Sequence, residues 1–224
     1  MSWHSSARTI PVARAPLRST SYVYGAIKRT LDVGLALAGF LVTWPLWILL
    51  PIAIKLEDGG PVFFRQRRVG KDGELFTVLK FRSMVVVSGD KRIAQLAEPD
   101  RELITKVGRL MRATAMDELP QLLNILRGEM SFVGPRAVPP VERVGDGNAK
   151  PIVVASLPGF RLRQSVRPGL TGLAQVYAPR HISHQQKFRF DLLYISRRSL
   201  GLDLKLILLS IWISLRSAWP QVGR

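Results

Sequence analysis

The sequence predicts a mixed, helix-rich α/β protein of the monotopic membrane class. In order along the chain, it predicts an N-terminal re-entrant helix hairpin broken by proline, a small domain containing a short β-hairpin, and amphipathic interfacial helices. Three observations carry this. The run from Val33 to Ile54 is almost wholly apolar yet contains Pro45 and Pro51. Basic residues crowd both flanks of that run. Beyond Ile54 the composition shifts sharply to Gly, Pro and cationic residues.

Residues 1–20 place Arg8, Arg14 and Arg18 among Ser, Thr and Pro without apolar periodicity, and read as a mobile basic tail. Residues 21–58 form the membrane segment. At ~1.5 Å per residue the apolar run could cross a ~30 Å hydrocarbon layer. It is longer than a usual signal core, and no small-x-small cleavage site follows Ile54. A proline in a helix interior costs ~3 kcal/mol through a lost hydrogen bond and a clash with the preceding turn. A bend is therefore expected at both prolines. Arg8, Arg14, Arg18, Lys28 and Arg29 precede the run, and Lys55, Arg65, Arg67, Arg68 and Lys71 follow it. A straight span would put one cluster on the side that disfavours Lys and Arg. A hairpin that enters and leaves by one face, with its break near Trp44 and Pro45, avoids this. A kinked transmembrane helix is the alternative, since membrane helices tolerate proline.

Composition narrows the partners. The 224 residues suit one compact unit, and 33 Lys and Arg against 16 Asp and Glu give a formal charge of +17. Such charge requires a polyanionic partner or surface. With 47 % hydrophobic residues, anionic phospholipid and phosphorylated substrates fit better than nucleic acid, which is not expected as a partner. No cysteine is present, which excludes disulfides, thiolate catalysis and Cys-based zinc sites.

The stretch PVFFRQRRVGKDGELFTVLKFRSM reads as a β-hairpin: Val62 to Arg65, a turn at Gly70–Gly73, then Leu75 to Phe81. It gathers Arg65, Gln66, Arg67, Arg68, Lys80 and Arg82, either as a phosphate site or as a solvated basic ribbon. Residues 85–100 look like a polar loop. A helix-like run follows from Leu119 to Leu126, with leucines at helical spacing and Pro120 near its start. Asp117 and Glu118 then stand at that helix's N-terminus, where one carboxylate could be an ordinary cap. Adjacent residues diverge by about 100°, so both cannot cap. They could instead share a divalent cation or divide two tasks. MSFVGPR ends a strand-like run and presents Arg136; RPGLTGLAQV, led by Arg167, repeats a Pro-Gly turn, a glycine-separated segment and a short strand. Residues 199–217 are Leu- and Ile-rich but carry Asp203 and Lys205, with Trp212 and Trp219 near the end. An interfacial helix fits this pattern, and a core helix is the alternative. His181 and His184 have helical spacing but no third ligand nearby, and read as polar surface.

Taken in order, KRTLDVGLAL, PVFFRQRRVG, LKFRSM, RATAMDELPQLLNILRGEMSFVGPR, RPGLTGLAQV and FDLLYISRRSLGLDLKLI resemble the bacterial sugar transferase family, the monotopic phosphoglycosyl transferases. The resemblance runs from about residue 28 to 215. It implies an enzyme at the cytoplasmic face of the bacterial inner membrane. Such an enzyme transfers a sugar 1-phosphate from a UDP-sugar to undecaprenyl phosphate, releases UMP, and starts polysaccharide or glycoconjugate assembly. Residues 59–198 would be the catalytic domain and 199–224 the C-terminal interfacial helix. The resemblance places the catalytic pair on Asp117 and Glu118. Asp117 would attack the β-phosphate to give a covalent phosphosugar intermediate. Glu118 would help bind Mg²⁺ or deprotonate the acceptor phosphate, and the pair together would ligate Mg²⁺. Arg112 and Arg136 match phosphate-contacting positions, and Lys80 either touches the site or supports it. Asp191, Tyr194 and Arg167 match further motif positions with less defined substrate-binding roles. A homodimer is compatible with the resemblance, and the chain is expected to be a minimal catalytic form.

Two departures stand out. The family often carries Ser-Pro at the helix break; here Trp44 precedes Pro45, with Thr43 the nearest hydroxyl. The family commonly reads GPRP, whereas Ala137 follows Arg136 here. The rivals are a membrane-anchored polyanion binder, which leaves the ordered motifs unexplained, and a nucleotide-sugar hydrolase, which needs no polyprenyl phosphate.

Overall fold

The computed structural model describes residues 22–85, 103–143, 151–179, 182 and 184–216. The basic tail, nearly all of the polar loop, His181 and Trp219 lie outside the described residues. The architecture is mixed and helix-rich, with three small two-stranded sheets among the described residues.

Helix α1 (Tyr22–Thr43) and helix α2 (Leu46–Asp58) meet at Trp44 and Pro45 with a bend of 61°. The break lies where it was expected. Its form is an open elbow, because only two residues separate the helices and Pro45 itself keeps helical angles (φ −65, ψ −32). Trp47 and Ile48 donate their backbone N–H groups to the carbonyls of Trp44 and Pro45 at 3.1 Å, restarting the helix at once. Thr43 serves the break directly. Its Oγ1 donates to the Gly39 carbonyl (2.6 Å) and accepts from Trp47 Nε1 (3.2 Å), so one hydroxyl joins both arms.

At Pro51, where a bend is also expected, α2 continues as one helix from Leu46 to Asp58. Leu50 and Ile54, on either side, are buried against Phe81 and Met111, and this packing offsets one missing hydrogen bond. Among the described residues no single helix is long and apolar enough to cross a membrane, although the bent pair is when taken together. Leu31, Leu35, Leu41, Val42, Trp44, Ile48, Leu49, Ile52 and Leu56 are all exposed along the pair.

Strands β1 (Phe63–Val69) and β2 (Leu75–Phe81) pair antiparallel from Phe63↔Phe81 to Val69↔Leu75. β1 is longer than the expected Val62 to Arg65, because Arg65 and Arg67 lie on an exposed face where charge does not oppose pairing. Next come α3 (Lys106–Thr114), a 3₁₀ turn at Met116–Glu118, and α4 (Gln121–Arg127), closed by left-handed Gly128. β3 (Ser131–Val133) lies parallel to β6 (Gly169–Thr171), while β4 (Val141–Arg143) and β5 (Pro151–Val153) form an antiparallel pair. The turns after β3 and around β6 approach so closely that a Cβ on Gly169 would lie 2.1 Å from the Gly134 nitrogen. Helices α5 (Phe160–Arg163), α6 (Leu173–Tyr177), α7 (His184–Arg197) and α8 (Leu200–Leu215) complete the described chain.

The KRTLD segment ties α1 to this domain. Arg29 donates to the Ile125 and Leu126 carbonyls at the end of α4 (2.6 and 2.9 Å). Asp32 accepts from Ser131 Oγ and the Phe132 N–H, both at 3.0 Å. Asp203 of α8 accepts from Lys28 Nζ (2.8 Å), Tyr24 OH (3.1 Å) and Tyr194 OH (2.7 Å). Thus α8 is held by one face through buried Asp203 and Leu206. Its opposite stripe of Leu204, Leu208, Ile211 and Leu215 stays exposed, so the core reading describes one side of the helix and the other is an apolar surface.

Candidate active site

Lys80 projects from β2, which is clamped on both edges. β1 pairs one edge; on the other, Asn124 accepts from the Leu79 N–H (3.1 Å) and donates to the Thr77 carbonyl (2.8 Å). Opposite, α3 ends at Ala115 in the left-handed conformation (φ 58), unusual for a residue with a Cβ. That reversal starts the 3₁₀ turn bearing Asp117 and Glu118. The capping residue of α4 is Pro120, with no side-chain cap, so neither carboxylate is spent on capping.

Lys80 Nζ hydrogen-bonds Glu118 Oε1 and lies 3.8 Å from Asp117 Oδ2. Burial pushes the Asp117 carboxyl above the usual range; neighbouring Glu118 adds to this, while Lys80, Arg112 and Arg136 oppose it. Burial works the same way on Glu118, but Lys80, Arg136 and Arg68 outweigh it and hold that carboxyl below its ordinary value. Two adjacent acids are thereby driven apart, the pattern expected where they have separate tasks.

Arg136 stands exposed on the turn after β3. The Gly169 N–H donates to the Pro135 carbonyl (2.9 Å), and Arg163 donates to the carbonyl of Arg136 itself. Ala137, where the family commonly has proline, is buried and lines the cleft. Its carbonyl accepts from Arg68 Nη1 (3.0 Å), and Val69 N–H donates to Val138 (2.9 Å), so this loop is fastened to β1 without the proline. The cleft is lined by polar Arg68, Lys80, Glu118, Gln121 and Arg136 and by apolar Val78, Met130, Ala137 and Leu170.

Lys80, Asp117, Glu118 and Arg136 are brought together, and Arg112 adds its field from the last turn of α3. Arg167 instead donates to the Gly128 carbonyl (2.7 Å). Asp191 is 2 % exposed and accepts from Arg163 Nε (2.7 Å); burial raises its carboxyl despite that partner. Tyr194, also buried, donates to Asp203, and burial beside that carboxylate raises its hydroxyl. These three brace the site rather than line the cleft. Arg163 was not legible in the sequence: it belongs to no motif, and only its partner in FDLLY reveals it. Arg68 was hidden among four neighbouring polar and basic residues, of which strand alternation alone separates inner from outer. Gln121 stood in plain view within DELPQ.

Among the described residues no group of three or more His, Cys, Asp or Glu is placed to hold a metal. Asp117 and Glu118 would be the residues to hold Mg²⁺, which characteristically takes one or two carboxylates and completes its shell with substrate phosphates and water. Four cationic side chains around two carboxylates leave excess positive charge, suited to a diphosphate.

A family model for bacterial sugar transferases matches residues 23–217. Over 210 residues the chain is 37 % identical to the UDP-glucose:undecaprenyl-phosphate glucose-1-phosphate transferase of Klebsiella pneumoniae, covering 91 % of this chain and 42 % of that protein. A protein of the same name from Caulobacter vibrioides is 42 % identical over 189 residues, covering 82 % of this chain and 68 % of its own length. The UDP-N-acetylgalactosamine-undecaprenyl-phosphate N-acetylgalactosaminephosphotransferase of Aeromonas hydrophila is 38 % identical over 194 residues, covering 85 % and 44 %. The chain thus spans less than half the length of two of these three relatives.

Proposed function

The chain belongs to the bacterial sugar transferase family, and from that premise we propose that it transfers a sugar 1-phosphate from a UDP-sugar to undecaprenyl phosphate, releasing UMP. The observation that carries this reading is the meeting of Glu118, Lys80 and Arg136 in one cleft, with Asp117 Oδ2 3.8 Å from the same Lys80 ammonium. The names of the relatives support both substrates, and their differing sugars leave the transferred sugar open.

In this reading an oxygen of the ionised Asp117 attacks the β-phosphorus. The bond from that phosphorus to the bridging oxygen breaks, and UMP departs with the electron pair. An oxygen of the lipid phosphate then attacks the same phosphorus and returns the carboxylate. Arg136, Arg68 and Lys80 meet phosphoryl oxygens as charge develops. Glu118, held ionised, suits charge holding better than proton capture, because a depressed pKa makes a weak base. Mg²⁺ on Asp117 and Glu118 would neutralise charge shared between the two phosphates.

The exposed apolar elbow and the outer stripe of α8 support a monotopic seat in the bacterial inner membrane, on its cytoplasmic face, beside the polyprenyl phosphate. The reaction would begin assembly of a polysaccharide or glycoconjugate. Two measurements test this. Purified protein with Mg²⁺, undecaprenyl phosphate and a panel of UDP-sugars is expected to release UMP over many turnovers only when the lipid is present, with no more than one UMP per enzyme without it, and Asp117→Asn to abolish release. Undiminished release by that variant refutes the nucleophile assignment. Cysteines introduced at Thr20 and Glu74 are expected to label from one side of the membrane; labelling from opposite sides refutes the monotopic seat.

A further inference from the structure

Two carboxamides are buried one turn apart on α4, and they are used differently. Asn124 spends its amide on the Leu79 N–H, the Thr77 carbonyl and Glu129 (3.1, 2.8 and 2.6 Å). Gln121 is almost as deep, at 5 % exposure, yet among the described residues its side chain has no hydrogen-bond partner. It lines the cleft, three residues beyond Glu118, as do the apolar Met130 and Leu170. Its amide atoms are not sealed from solvent as those of Gln175 are, so the protein leaves both ends of the amide open to whatever occupies the cleft. The amide is therefore arranged for something that enters the cleft.

Its chemistry narrows what that is. A carboxamide is neutral and both donates and accepts. Phosphoryl oxygens only accept, they already face Lys80, Arg68 and Arg136, and they would leave the amide carbonyl bare. A hydroxyl donates and accepts together and satisfies both ends. We propose that Gln121 hydrogen-bonds a hydroxyl of the transferred sugar and is a specificity-determining residue for the donor, an inference that rests on the transferase reading above. Met130 and Leu170 offer the sugar's C–H face an apolar wall.

The test uses the whole chain, the UDP-sugar it turns over best, and that donor's monodeoxy analogues. Gln121→Met keeps length and removes both hydrogen-bonding ends. It is expected to lower kcat/KM about 3- to 10-fold on the parent donor, the loss of one neutral hydrogen bond. On one deoxy analogue, the one lacking the contacted hydroxyl, the two proteins should agree within about twofold, because the partner is already absent. Binding of UDP alone should not change. Gln121→Asn, which withdraws the amide by one methylene, should give the same pattern and stands in should Gln121→Met not fold. An equal loss on every donor, or a matching fall in UDP affinity, overturns the Gln121 assignment and leaves the transferase reading intact. No UMP from the unaltered chain with any donor overturns the transferase reading, and the assignment with it.

Discussion

Removing the ammonium of Lys80 while keeping its length, as Lys80→Met does, asks whether one cation sets the charge state of both carboxylates. Lys80 Nζ is bonded to Glu118 and lies 3.8 Å from Asp117 Oδ2. Opposite unit charges about 4 Å apart attract by ~4 kcal/mol at an effective dielectric of about 20. The side chains of Lys80, Asp117 and Glu118 are 20, 12 and 20 % exposed, so some of this is lost to solvent. The part that remains favours the ionised form of both carboxyls. Asp117 is already above the usual carboxylate range through burial and the adjacent Glu118, and loss of Lys80 moves it further up. The nucleophile works only when ionised, so activity falls as pH drops through its folded pKa. UMP release by Lys80→Met is therefore expected to fall, most steeply on the acid side, with the acid limb of kcat/KM displaced to higher pH and activity recovering as pH rises. Lys80→Arg keeps the charge and should keep the limb close to its original place. A Lys80→Met profile that is lower throughout but has an unmoved acid limb refutes this reasoning, and would mark Lys80 as a phosphate contact alone.

Three further outcomes follow from the same geometry. Because the folded pKa of Asp117 is raised, its ionised form costs stability once pH exceeds the unfolded carboxyl value of about 3.9. Asp117→Asn is expected to melt higher than the parent at pH 8, with the gain vanishing below pH ~4; equal melting temperatures at pH 8 contradict this. Arg163→Leu leaves Asp191 buried without its cation, a cost of about 3–5 kcal/mol. Thermal melts should drop by roughly 6–20 °C, and Asp191→Asn in the same chain should restore much of the loss. Ala115→Gly relieves a left-handed alanine at φ 58 and should stabilise by about 1 kcal/mol, some 2–4 °C, whereas Ala115→Val should do the opposite.

Arg163 also shows why a residue distant from the cleft can matter to it. The turn bearing Arg136 is bridged to Gly169 of β6, and its backbone is held further by a guanidinium paired with Asp191 and stacked 4.6 Å over Phe188. The FDLLY motif therefore contributes to the site through an intermediary. The same logic applies to Asn124, whose amide fixes the edge of β2 and with it the position of Lys80.

Several features were determined by sequence alone because their physics is local. A proline in an apolar run bends the helix near itself, a glycine-bounded alternation makes the β1–β2 hairpin, and Pro120 opens α4 just after Asp117 and Glu118. The order of motifs sufficed for the family, since it needs no geometry. What tertiary structure decided depends on residues far apart in the chain. Pro51 leaves α2 intact because Phe81 and Met111, 30 and 60 residues onward, pack beside it. Asp203, which looked like an interruption of an interfacial helix, is the acceptor for Lys28, Tyr24 and Tyr194. Asp191 and Tyr194 turn inward as braces, and Arg68 and Gln121 turn into the cleft. The identity of a side chain states what it can bond; only the fold states whether that bond has already been made, and in this site the unmade ones matter most.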